Sequence, residues 1–224
     1  MRKTLLGAVA VLALAACSEN AADDAAAETP AEDVDVAAAE PAPAPVAAAA
    51  PAAPPATGPG PLPGWTTIGD AVWTMEGDEL VGREAEVGVA FIATEQAYTD
   101  FQITLEFMVS NPGNSGVFFR CEDMAAILDT TCYEANIFDE RPDQSGRTGA
   151  IVNIAPPEVE IDAQDGAWHT YDITVQGGQI TVVLDGQTTV DVEDTTHANP
   201  SPIALQVGQG ENTVRFRNIT ITEL

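Results

Sequence analysis

Arg120 and Glu134 are the pair of residues from which chemistry could be built. They lie in residues 114–140, NSGVFFRCEDMAAILDTTCYEANIFDE, where two apolar, aromatic-rich runs flank a loop bracketed by Cys121 and Cys132. Runs of that composition read as β-strands. A charge inside a half-buried sheet needs a partner or a task. Two readings stand side by side. In one, Arg120 and Glu134 form a structural ion pair at the ends of two strands. In the other, both stand on the concave sheet of a sandwich, where a carboxylate can accept a proton and a guanidinium can hold a developing oxyanion. By strand alternation, Gly116 and Phe118 share a face with Arg120, while Asn136 and Phe138 share one with Glu134. Glycine there leaves room for a ligand, and an aromatic ring offers a plate for a sugar. Asp139 and Gln206 are further polar candidates for substrate binding.

The second reading carries a condition. If Cys121 stood directly opposite Cys132, Arg120 would face Tyr133 and Phe119 would face Glu134. Directly opposed residues share a face, so the two charges would then point to opposite sides. The site therefore needs a one-residue offset, a bulge, or strands that are not immediate partners.

The formal net charge of -27 disfavours phosphate backbones and anionic headgroups as partners, so no nucleic acid is expected. Residues 1–17 read as an export leader. Arg2 and Lys3 precede an apolar stretch, TLLGAVAVLAL, too short for a permanent membrane helix. Leu14-Ala15-Ala16-Cys17 has the form of a bacterial lipobox, which makes Cys17 the expected lipidation site and the membrane anchor. Ser18, where an acidic residue would retain the protein at the inner membrane, points to the outer membrane. Loss of the leader leaves six basic residues, all arginine, against 35 acids, a balance that suits a salty habitat. Residues 18–64 hold ten of the 16 prolines among alanines and acids, and read as a disordered spacer. With Cys17 assigned, Cys121 and Cys132 remain as one pair. Export favours a disulfide between them, worth about 3 kcal/mol for a loop of this size.

From residue 65 onward, period-2 alternation takes over. Phe101, Ile103, Leu105, Phe107 and Val109 alternate with polar residues. Later runs pair Tyr171 with Ile173 and Val175, and Ile180 with Val182 and Leu184. Asn111-Pro112-Gly113-Asn114 marks a turn, and Gly177-Gly178 and Asp185-Gly186 mark tight hairpins. A phase slip between Phe216 and Ile219 predicts a bulge near Asn218. Only residues 123–128 suggest a short helical turn. Many short strands at this spacing predict an all-β domain over residues 65–224, a two-sheet antiparallel jelly-roll sandwich.

An ordered series of motifs resembles the 3-keto-disaccharide hydrolase family, which has a concanavalin A-like fold. It runs through Gly64-Trp65, WTMEGDELVG (73–82), YTDFQITLEF (98–107), NSGVFFR (114–120), YEANI (133–137) and TGAI (148–151). It then continues through GAWHTY (166–171), LDG (184–186), Leu205-Gln206 and VRFRNI (214–219). The resemblance implies action on glycosides oxidised to a ketone at C3. Such a ketone acidifies the C2 hydrogen, so a carboxylate can remove it and the C1 substituent can leave without an oxocarbenium ion. Glu134 is then the expected base and Arg120 the enolate stabiliser, with Asn136 and Gln206 orienting hydroxyls. His169 follows Trp168 where the family shows Trp-Asn; it is either a strand-start polar residue or a titratable site residue. Asn136 replaces the usual glutamine, Val152 stands where an aromatic is usual, and residues 139–147 lack the usual histidine and lysine. His197, in a turn-rich segment, is expected to be solvated. Arg215 and Arg217 are expected as sheet-surface pairing charges. Two distant histidines make no metal signature, and no cofactor is implied. A non-catalytic carbohydrate-binding module and a purely structural envelope protein are the competing readings. Sequence alone does not specify an oligomeric state.

Overall fold

Alternation and turn chemistry build the chain into two antiparallel sheets. The computed structural model describes residues 57–83 and 88–224; the leader, Cys17 and the spacer up to residue 56 lie outside the described residues. The strands are β1 (Thr57–Pro59), β2 (Trp65–Ile68), β3 (Val72–Glu76), β4 (Glu79–Arg83), β5 (Ala90–Tyr98), β6 (Phe101–Val109) and β7 (Ser115–Phe119). They continue as β8 (Tyr133–Ile137), β9 (His169–Gln176), β10 (Gln179–Leu184), β11 (Gln187–Glu193), β12 (Ser201–Val207) and β13 (Thr213–Glu223). One sheet has the order β1-β2-β5-β12-β7-β8 and the other β11-β10-β9-β6-β13-β4-β3. The fold is thus an all-β, two-sheet sandwich. β1 pairs with β2, so the first sheet takes in residues that the sequence assigns to the spacer.

β6 behaves as its pattern demands: every odd residue from Phe101 to Val109 is buried and the even ones are half-exposed. The expected bulge is present, with the β13 register slipping between Arg217 and Thr220 and Asn218 at φ 53°. Both expected hairpin turns close as well: Gly177-Gly178 joins β9 to β10, and Asp185-Gly186 joins β10 to β11. The helical turn expected at residues 123–128 does not form; only a single turn hydrogen bond, Ala126 N to Asp123 O, is made there. Instead, a short 3-10 turn spans Gln144–Gly146, capped by the Asp143 carboxylate accepting from Ser145 N.

The core between the sheets includes Phe101, Phe107, Phe119, Tyr133, Ile137, Tyr171 and Phe216. Tyr171 reaches across it: its hydroxyl donates to Asn136 O at 2.5 Å and accepts from Gly149 N at 2.8 Å. β7 and β8 differ from β6 in being buried at every position. Their inward residues, Val117, Phe119, Tyr133, Ala135 and Ile137, join that core. Their outward face lies partly beneath the disulfide loop, where Cys121, Cys132 and Ile127 pack on Ile68, Phe91, Ala93, Phe118 and Ala204. Residues 150–152 run beside β8 as an extra edge, with Asn136 N donating to Ala150 O and Val152 N to Glu134 O.

Candidate functional site

Register assembles the site. On the outward face of the six-stranded sheet, Ala93, Ala204, Phe118 and Glu134 form one row across β5, β12, β7 and β8. In the next row Gln206 stands beside Phe91, and Gly116 beside Asn136. Gly116 supplies the space for the other groups. A Cβ at that position would lie 2.8 Å from Glu134 Oε1, so the carboxyl occupies the room a side chain would take. Glu134, Asn136 and Gln206 thus lie on one face around one glycine.

Each of these groups keeps at least one side-chain oxygen without a hydrogen-bond partner among the described residues. Glu134 is only 5% exposed. Among the described residues its carboxyl has no hydrogen-bond partner. Burial and the nearby Asp129 carboxylate push its pKa up, Arg141 pulls it down, and the balance leaves it at about 8. Asn136 uses its amide Nδ2 to hold Gly146 O, while its Oδ1 is buried and unpaired. Gln206 Oε1 is likewise buried and unpaired. Buried acceptors without donors are costly, and in a native fold they invite explanation by a missing ligand or water. Oxygens of this kind are matched by groups that bring hydroxyl or N–H donors.

Arg120 does not join them. The offset required by the sequence is present: Phe118 faces Glu134, and Phe119 faces Tyr133. Arg120 itself absorbs it, as the residue between β7 and Cys121 with φ 51°. That left-handed turn removes Arg120 from the alternation of β7. Its Nε donates to Thr99 O at 3.1 Å and its Nη2 to Asp100 Oδ1 at 3.0 Å, with the residue 2% exposed. The expected facing of Arg120 and Glu134 is therefore not formed. The cation whose charge reaches Glu134 is Arg141, bridged to Asp129 at 3.3 Å. Its guanidinium lies over Gly146, where a Cβ would come within 2.7 Å of Nε. Arg141 sits outside any strand, where no alternation marks it; the glycine five residues on is the one sequence signal of its close approach.

Phe118 is on the site face but only 2% exposed, its ring edge-on to Phe91 at 5.2 Å, so it forms no open plate for a sugar. Asp139 Oδ2 accepts from Ala163 N at 2.7 Å and Gln164 N at 3.2 Å, clamping a loop, while its Oδ1 is buried without a hydrogen bond and lies 3.8 Å from Arg147 Nη2. His169 starts β9 on the opposite sheet and is not brought to Glu134. Its ring bridges Asp185 at 2.8 Å and Asp165 at 3.1 Å. Burial pulls its pKa down, but the two carboxylates outweigh that and hold it above the ordinary histidine value. His197, expected in solvent, is 5% exposed, with Nδ1 3.3 Å from Glu122. Arg215 pairs with Glu76 and Glu79, and Arg217 with Glu106, as sheet-surface charges.

Residues 1–18 match a prokaryotic membrane lipoprotein lipid attachment site, which makes this a lipid-anchored protein of the bacterial envelope. No curated protein matches the sequence. Two crystal structures of putative glycosyl hydrolases from Parabacteroides distasonis resemble the fold. One has TM-score 0.61 and 19% identity, covering 72% of this chain and 89% of that one. The other has TM-score 0.57 and 22% identity, covering 68% and 90%. The carbohydrate-binding module CBM66 from Bacillus subtilis follows at TM-score 0.56 and 21% identity, covering 71% and 96%. At these identities the likeness establishes the sandwich architecture. Residues 60–222 match the 3-keto-alpha-glucoside-1,2-lyase-like domain, and the chain accordingly belongs to that family of 3-keto-disaccharide hydrolase domains.

Proposed function

We propose that this protein cleaves 3-keto-glycosides at the cell envelope, with Glu134 as the base. The observation that carries the reading is the buried, unpartnered Glu134 carboxyl, raised to about 8 beside the two unpaired amide oxygens of Asn136 and Gln206. A base of that strength is suited to a carbon acid, whose proton an ordinary carboxylate removes poorly. Glu134 takes the C2 proton of the keto sugar. The C–H electron pair becomes the C2=C3 bond of an enolate, and its charge rests on the former ketone oxygen. Collapse of the enolate forms C1=C2 and expels the C1 oxygen with its bonding pair; that oxygen takes up a proton. Water adding across C1=C2 then yields the free 3-keto sugar. Asn136 Oδ1 and Gln206 Oε1 accept from sugar hydroxyls and orient the ring. Arg141 takes the enolate-stabilising place first assigned to Arg120. The lipobox with Ser18 after Cys17 supports attachment to the outer membrane.

Incubating the purified protein with 3-keto-trehalose or 3-keto-sucrose, beside the unoxidised sugars, tests the reading. Release of 3-ketoglucose from the keto substrates alone is the expected result. Binding without release, or release by Glu134→Gln at the wild-type rate, overturns it; the first of these favours a carbohydrate-binding module.

A further inference from the structure

Asp129 lies on the disulfide loop, outside every strand, and the proposed chemistry gives it no task. Two bonds nevertheless commit it. Its carboxylate accepts from Arg141 Nη2 at 3.3 Å, and its backbone carbonyl accepts from Asn153 Nδ2 at 3.1 Å. Those bonds close a circuit around the site. On one side, Asn153 follows Val152, whose N–H donates to Glu134 O. On the other, Arg141 packs over Gly146, whose carbonyl accepts from the Asn136 amide. The circuit thus leaves β8 at Glu134, passes through Asn153, Asp129, Arg141 and Gly146, and returns at Asn136. Asn153 takes its place with φ 63°, a left-handed backbone that asparagine tolerates better than most residues.

Within the circuit, the guanidinium is the group that most needs holding. Arg141 projects from a loop, a quarter of its side chain is exposed, and its many rotamers would otherwise spread the charge over solvent. Among the described residues, Asp129 is the hydrogen-bond partner of that guanidinium. After burial, the charges that act on Glu134 are Asp129, which raises its pKa, and Arg141, which lowers it. Tyr171 on β9 feels the Glu134 charge but is a buried neutral phenol, held above its ordinary value, and Asp143 is lowered in part by Arg141.

We propose that Asp129 is a positioning residue that acts through Arg141, holding the guanidinium at the Glu134 site. This rests on the function proposed above, in which Arg141 stabilises the enolate.

A double-mutant cycle tests it. Asp129→Asn, Arg141→Met and the pair are assayed on 3-keto-trehalose, beside Asp129→Glu, which keeps the charge. With Arg141 present, Asp129→Asn is expected to lower kcat about ten- to a hundredfold, the effect of a misplaced catalytic group, with little change in KM. Asp129→Glu is expected to recover most of that loss. In Arg141→Met, adding Asp129→Asn is expected to change kcat no further. Equal losses in the two backgrounds, or no loss with Arg141 present, overturn the proposal and leave the activity standing. If wild type turns over no keto sugar, the proposed activity falls; then, or if Arg141→Met is inactive, the Glu134 carboxyl titration followed by carbon-13 NMR decides. Asp129→Asn removes a negative neighbour, which lowers the midpoint, but a released Arg141 takes its own lowering effect away. A smaller downward shift with Arg141 present than in Arg141→Met therefore upholds the proposal, and equal shifts overturn it.

Discussion

Glu134 governs the predictions that belong to single residues. Its folded pKa of about 8 lies above that of a carboxyl in the unfolded chain, so the neutral form is what the fold favours. The associated stability is fully present below about pH 4.5 and is lost as pH rises toward 8, at about 1.4 kcal/mol for each pH unit if the shift is complete. Glu134→Gln, which cannot ionise, should therefore gain in Tm over wild type between pH 5 and 8, and the gain should level off above 8. Thermal melts of the two proteins across that range check it. Activity should run the opposite way. Wild-type kcat/KM should climb through an acid limb ending near pH 8, and Glu134→Gln should fall on the order of a hundred- to ten-thousandfold. A flat pH profile would remove Glu134 from the proton transfer. The shared face of Glu134 and Asn136 was legible in the sequence because strand alternation alone puts the two there. Arg120 was not, because one left-handed φ diverts a side chain that composition and spacing assign to the sheet. Arg141 was hidden for a related reason: its approach is made by a loop, and loops carry no period to read.

Among the elements, the loop between Cys121 and Cys132 matters most. It does two things at once: it closes a covalent ring and lays Ile127 over the Phe118 end of the site. Removing the disulfide by Cys121→Ser with Cys132→Ser should cost about 3 kcal/mol, measurable by urea denaturation. It should also loosen the cover that keeps Glu134 desolvated. The acid limb of the kcat/KM profile should then shift to lower pH, since desolvation is the largest cause raising this carboxyl. An unmoved limb would mean that β7 and the 150–152 edge bury Glu134 without help from the loop. The strands themselves were readable: β6 follows its odd-even pattern throughout. Strand neighbours were another matter. β12 sits between β5 and β7, and β13 between β4 and β6, pairings across long sequence gaps that no local pattern encodes.

At the scale of the whole molecule, charge is distributed unevenly between the two signs. Each of the described arginines (Arg83, Arg120, Arg141, Arg147, Arg215 and Arg217) is engaged by a carboxylate, so no described arginine is left over to offset the remaining acids of a chain with net charge -27. Screening should then relieve repulsion more than it weakens pairs. Raising NaCl from about 0.1 to about 1 M should raise Tm, with lysozyme as the opposite-signed control. A second whole-molecule property follows from the Tyr171 hydroxyl, which crosses from β9 to the carbonyl of Asn136. It works as a tie-bar between the two slabs: the peptide that carries Asn136 is bolted to the far wall. The two slabs cannot part without that bolt giving way, so disruption of the Glu134–Asn136 face and global melting should coincide. A half-opened form that keeps that face intact has no place in this architecture.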